Sequence, residues 1–300
     1  MKAPGSDGAA LELSETSGVH CHAHEAMATV FEVRSAHADA RYAAQAAHAA
    51  FALLDRLEQE LSRFVPNSDI ARVNQLEKGG AARVSESTME CLVVARHMFE
   101  LTDGAFDVAV GTGLDRLELD PERLTVHALE EGARLDLGGI GKGFAVDRMA
   151  ALLVEWGLER SLVHGGWSSV AALEPPPEWP GWPLGMSAPP GSAARPRLVA
   201  RVEARQQALS ASGTQKGDHI LDPRTGRAVA ERAVWVRVPV PEPKADGLSP
   251  AAVADALSTA FMILPTERID ELCRDNPGLE AWRLETAELV HLGATAPGRV

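Results

Sequence analysis

The chain has 300 residues, 45% of them hydrophobic and 24% charged, an ordinary globular composition with ample length for a packed core. Its formal net charge of −13 excludes a nucleic-acid backbone as the main partner, so any anionic ligand must be met by a local feature or by a cation. Cys21, Cys91 and Cys273 are far apart and odd in number, which implies no disulfide framework, and no apolar run is long enough to cross a membrane.

Met1 to His20 is polar and mixed in charge, without the apolar core of a signal peptide. It reads as an unstructured lead-in (1–20) to a single domain over 21–300, and the protein as cytoplasmic. His20, Cys21, His22 and His24 follow; extended alternation puts the three histidines on one side, either as a transition-metal site or with adventitious metal affinity only. Thr29 to Arg34 predicts a strand, and Ala47, Phe51, Leu54, Leu57 and Leu61 keep helical spacing within a helix from about Ser35 to Ser62. Ser68 is placed to cap a short helix through Asn74, and Ser85 opens a further helix to Leu101. Gly104-Ala-Phe-Asp107 breaks that pattern.

Leu135-Asp-Leu-Gly-Gly-Ile-Gly-Lys-Gly-Phe-Ala-Val-Asp147 reads as a short apolar strand that breaks into glycines around one lysine and then enters a helix. The helix places Ala145, Met149, Leu152, Leu153 and Trp156 on one face before Gly157 stops it. Gly138, Gly139, Gly141 and Gly143 leave the backbone free to aim N–H groups at an anion, with Lys142 adding charge; the alternative is a tight turn bearing an exposed lysine. Neither a P-loop nor a dinucleotide fingerprint matches, because Gly143 follows the lysine and the glycine spacing is wrong.

Arg160 to Leu173 and Arg197 to Leu209 read as strands around a proline-rich irregular loop, 174–196. In His219-Ile-Leu-Asp-Pro-Arg-Thr-Gly226 a strand edge runs into a turn, with His219 as a candidate proton acceptor or a structural histidine. A second proline-rich connector, Pro239 to Pro250, precedes a helix from Ala251 to Ile263. There Asp255 and Thr259, at i and i+4, put two oxygens on one face. Such a pair suits a hard cation such as Mg²⁺, or else stabilises the helix N-terminus and bonds the helix backbone.

Together these blocks resemble the ApbE family of FAD:protein FMN transferases. Ala26-Met-Ala-Thr29, Leu61 to Asn74, Gly104 to Asp107, Leu135 to Asp147, and His219 to Gly226 followed by Ala254 to Thr259 stand in the family's order, from about residue 22 to 264. The resemblance implies an α+β protein, mixed sheets flanked by helices in a T-fold-related architecture. It would bind FAD with Mg²⁺ and transfer FMN to a threonine or serine hydroxyl of an acceptor protein, releasing AMP. It further implies that Met27, Phe64, Ala105, Phe106, Asp107, Asp136 and Lys142 line the FAD site. Asp255, Thr259 and the backbone carbonyl of Gly139 would hold the metal, and His219 would help deprotonate the acceptor hydroxyl. The same framework with water as acceptor would be an FAD pyrophosphatase, and one without transfer chemistry an FAD-binding protein.

Overall fold

A computed structural model describes residues 10–13, 19–109, 111–188, 197–213, 220–229, 232–240, 249–285 and 288–293. In chain order its elements are β1 (Ala10–Leu13), β2 (His20–Ala26), β3 (Thr29–Ser35), α1 (Ala40–Leu61), α2 (Asp69–Val73), β4 (Ala81–Arg83), α3 (Glu86–Leu101), β5 (Leu117–Asp120), β6 (Thr125–Ala128) and α4 (Gly141–Glu155). There follow β7 (Ser161–Gly165), β8 (Ser169–Ala172), β9 (Trp182–Ala188), β10 (Arg197–Ala204), β11 (Gln207–Gly213), β12 (Ala233–Pro239), α5 (Pro250–Phe261), α6 (Thr266–Asp275), β13 (Glu280–Glu285) and β14 (Glu288–Leu292).

The main sheet has the order β14-β13-β12-β11-β8-β7-β3-β2, with every pair antiparallel. Two three-stranded sheets, β1-β9-β10 and β4-β6-β5, complete the α+β architecture. Period-two alternation gives the main sheet two apolar faces. Phe31, Val33, Val163, Ala171, Ala208, Val234 and Val236 join the core formed with α1, α4 and α5. Their alternates Leu162, Val170, Leu209, Ala211 and Trp235 pack with Trp182, Leu184 and Met186 of β9.

Local chemistry sets several boundaries. Asp39 accepts the N–H groups of Arg41 and Tyr42 and so starts α1 five residues later than its apolar spacing predicts. Ser68 and Ser85 cap α2 and α3 as expected, accepting from Ala71 N and Thr88 N. Gly157, at φ +72°, ends the helix that Gly141 begins.

Other expectations are corrected. Ala10–Leu13, inside the segment read as an unstructured lead-in, pairs antiparallel with β9, and His20 begins β2. Arg160 to Leu173 is a hairpin rather than one strand, because Gly166 and Trp167, at φ +59° and +64°, reverse the chain between β7 and β8. Arg197 to Leu209 is likewise divided, with β10 in the small sheet and β11 in the large one. The proline-rich stretch is not wholly irregular: it contains β9, with Pro183 near the strand start where proline is tolerated.

Leu135 to Leu137 forms no strand. Its backbone is satisfied differently, since the Asn74 amide accepts from Leu135 N at 2.6 Å and donates to Leu135 O at 2.9 Å, while Asp136 N donates to Val108 O. One side chain thus substitutes for a ladder partner. Among the described residues no helix is long and apolar enough to cross a membrane.

Asn74→Ala leaves both Leu135 backbone groups without these partners, and is expected to lower stability by about 1–3 kcal/mol. Urea unfolding checks this, and an unchanged midpoint would contradict the assigned role of Asn74.

Candidate active site

The site is assembled where the first turn of α4 meets α5. Gly143 approaches α5 so closely that a Cβ there would lie 2.2 Å from Ala251 O and 2.8 Å from Asp255 Cβ, so only glycine fits. The contact is locked from both sides. Asp147, one turn along α4, accepts the N–H groups of Ala251 and Ala252 at 3.0 and 2.9 Å and so caps α5 from outside. Asp255, from α5, accepts Gly143 N at 3.0 Å. Ser249, at the N-cap position of α5, makes no capping bond of its own; its hydroxyl instead accepts from Arg148.

Asp255 is only 3% exposed. Its second oxygen accepts from Ser210 Oγ on β11 at 3.0 Å, and Lys142 Nζ stands 3.8 Å from its first. Lys142 also donates to Gly138 O at 3.1 Å, which folds the ammonium back over the loop. Thr259 donates from Oγ1 to Asp255 O, and a Cβ on Gly139 would lie 3.3 Å from that hydroxyl and from Phe106 Cε2. Asp255, Thr259, Gly139, Lys142 and Phe106 therefore converge.

The glycine loop is not an open cradle of N–H groups. Gly138 N donates to Asp136 Oδ1, Gly141 N to Leu137 O and Gly143 N to Asp255, so three of the four glycine donors are already used inside the protein. The other oxygen of Asp136 pairs with Arg63 Nε at 3.1 Å. The Arg63 guanidinium lies 4.4 Å over the ring of Phe64, which is 78% exposed.

Other predicted residues sit farther along the chain's turns. Met27 occupies the β2–β3 turn at φ +49°, its N–H held by Glu58. Ala105 is buried after α3, and Asp107 bonds Ala109 N and Gly111 N. Burial raises the Asp107 pKa, opposed by those N–H groups. Asp107 lines a cavity of about 540 Å³ with Phe99, Asp103, Gly104, Pro223 and Arg224, of which Asp255 is not a lining residue. His219 lies outside the described residues; the turn that follows it is closed by Gly226 N donating to Asp222 O.

The histidines of β2 do alternate onto one side, but His20 and His24 are each engaged with other partners. His20 bonds His37 O, His24 bonds Asp55 and stacks on Phe51, and burial lowers the pKa of His22. Among the described residues no three His, Cys, Asp or Glu side chains form a metal-binding group.

The sequence alone assigns no role to Asp147 or Ser210. Asp147 could have been found from its place four residues after Gly143, on the same helix face. Ser210 carries no such local signal.

The ApbE family model matches residues 27–282. The chain belongs to the ApbE family. Among curated ApbE-family relatives it is 28% identical to the FAD:protein FMN transferase of Treponema pallidum, over 77% of this chain and 74% of the relative. It is 24% identical to that of Salmonella typhimurium, over 83% and 79%. In fold it is similar to the flavin transferase ApbE from Vibrio cholerae, with TM-score 0.77, 21% identity and coverage of 93% and 97%. The apo flavinyl transferase ApbE of Pseudomonas stutzeri gives 0.75 at 23% identity, covering 93% and 95%.

Within this ApbE-family site, burial pushes the Asp147 carboxyl up to about 7, against the pull of the Ala251 and Ala252 N–H groups and of Arg148. A carboxyl raised in the folded state binds a proton that the unfolded chain has already lost. Its contribution to stability is thus full below pH ~4, the ordinary carboxyl range, and lost as pH rises through about 7. Urea unfolding at intervals from pH 4 to 8 should show this decline in the wild type and a shallower one in Asp147→Asn. Parallel profiles would contradict the assignment.

Proposed function

We propose that this protein is a Mg²⁺-dependent FAD:protein FMN transferase that moves FMN from FAD to a threonine or serine hydroxyl of an acceptor protein, with release of AMP. The observation that carries the reading is the convergence of Asp255, Thr259, Gly139 and Lys142 at the α4–α5 junction. Its curated relatives are named FAD:protein FMN transferase, which supports the transfer itself.

The donor chemistry fits Mg²⁺. The groups are all oxygen, and each Asp255 oxygen accepts one hydrogen bond of 3.0 Å, from Ser210 or Gly143, leaving further lone-pair positions. Thr259 spends its proton on Asp255 O and keeps its acceptor capacity. A single carboxylate is in keeping with an ion that takes its remaining ligands from water and phosphate. On this reading Asp255, Thr259 and the Gly139 carbonyl hold the metal, which when bound neutralises pyrophosphate charge and the charge developing on the leaving group.

The chain's own residues then bind and orient. Lys142 offers a positive charge already restrained by Gly138 O, as an acidic protein with an anionic substrate requires. Phe64 presents an exposed aromatic face, and Met27, Ala105, Phe106, Asp107 and Asp136 complete the proposed FAD site. In the transfer the acceptor oxygen bonds to the FMN phosphorus, and the P–O bond to the AMP phosphate breaks with its electron pair leaving on AMP. The hydroxyl proton goes to a base, the role proposed for His219.

Incubation of the purified protein with FAD, Mg²⁺ and candidate acceptors should give AMP by chromatography and a flavin-bearing acceptor by mass spectrometry. Asp255→Asn is expected to reduce both on the order of 10²-fold or more. FAD that stays intact would overturn the reading, and AMP with free FMN in place of labelled acceptor would identify a pyrophosphatase.

A further inference from the structure

Behind Asp255 lies a set of hydroxyls that the proposed chemistry does not itself use. Ser210 on β11 and Ser258 on α5 are fully buried, while Ser212, two residues along β11, is half-buried. Ser210 Oγ is 3.0 Å from Asp255 Oδ1, Ser258 Oγ is 2.9 Å from Asp255 O and 3.5 Å from Ser210 Oγ, and Ser212 and Ser258 hydroxyls are 2.8 Å apart.

Each hydroxyl has one proton to give, which fixes the direction of the chain. The carboxylate can only accept, so Ser210 donates to Oδ1. Ser258 donates to the nearer acceptor, Asp255 O, and Ser212 donates to Ser258. Ser169 stands opposite Ser210 across the strand pair, also fully buried, yet its Oγ has no hydrogen-bond partner among the described residues. The Ser210 hydroxyl is therefore committed to Asp255 and not shared sideways. A buried hydroxyl bonded to a carboxylate is a charge-assisted contact, stronger than a neutral one and directional.

We infer that Ser210 is a positioning residue that fixes the rotamer of Asp255, so that its remaining lone pairs face a divalent cation held with Thr259 and the Gly139 carbonyl. Gly143 N holds one oxygen and Ser210 the other, and two anchors on different oxygens stop rotation of the carboxylate plane. Gly143 comes from α4 and Ser210 from the sheet, so Asp255 is fixed between two elements other than its own. Supporting partners of this kind orient metal ligands, and their loss costs affinity on the order of 10–100-fold. The inference rests on the metal reading of Asp255 proposed above.

The test is Mn²⁺ binding to the full-length protein, read by the electron paramagnetic resonance signal of free ion, alongside FAD affinity and thermal melting. Ser210→Ala is expected to weaken Mn²⁺ binding by about 10-fold or more, with FAD affinity measured without metal unchanged, and raised Mg²⁺ is expected to restore its turnover. Ser258→Ala keeps the Ser210 contact and is expected to change Mn²⁺ affinity by less than about 3-fold. Ser210→Cys, near-isosteric with a much weaker donor, is expected to show the same loss and serves if the alanine variant fails to fold. Wild-type Mn²⁺ affinity in folded Ser210→Ala or Ser210→Cys would overturn the inference, as would an equal loss in Ser258→Ala. If the wild-type protein binds no Mn²⁺, the metal reading itself falls and the inference with it.

Discussion

The site depends on one contact, the reciprocal clasp between α4 and α5. Each helix begins without a side-chain cap at its own N-cap position, and each has a backbone N–H bonded by a carboxylate from the other. Asp147 bonds the first turn of α5, and Asp255 bonds the first turn of α4. Neither bond could form if residue 143 carried a Cβ, since Ala251 O would then stand in its place. Burying two carboxylates this close is costly unless each is hydrogen-bonded, and the N–H groups exposed at helix starts are well suited to the purpose. The clasp thereby sets Asp255, Lys142 and the glycine loop in one frame.

The rest of the fold serves that frame. The main sheet presents Val163, Ala171 and Ala208 to the helices, and from the same face of β11 Ser210 and Ser212 reach the polar side of α5. Small residues on α5, Ala251, Ala252, Ala254 and Ala256, are all buried, which lets α5 lie close to both α4 and the sheet. A protein of net charge −13 thus gathers a lysine, an arginine paired with Asp136 and a set of hard oxygen donors at one junction. Global charge gives no hint of that local arrangement.

What was legible in the sequence was local or periodic. The caps at Ser68 and Ser85 follow from short-range hydrogen bonding, and the α1 face from helical spacing. The i, i+4 relation of Asp255 and Thr259 survives because a helix fixes it. What stayed hidden depends on distant partners. Leu135 to Leu137 reads as a strand, but its ladder partner is the amide of Asn74, 61 residues away. Asp147 caps a helix more than a hundred positions downstream, and Ser210 meets Asp255 across 45. The glycine run illustrates the same limit, because its N–H groups look free in sequence and are largely taken in the fold. The strand β9 was obscured by its neighbouring prolines, and the small sheet was missed with it.

On the proposed reading, Asp255, Thr259 and the Gly139 carbonyl together make a cation site against which the pyrophosphate of FAD is held. Crystals grown with FAD and Mn²⁺, examined for anomalous scattering at the manganese edge, test this most directly. The expected result is one ion in contact with an Asp255 oxygen, Thr259 Oγ1 and Gly139 O, at about 2.0–2.3 Å, with phosphate oxygens completing its shell. An ion held elsewhere, or FAD bound with its pyrophosphate on Lys142 and no ion beside Asp255, would contradict it.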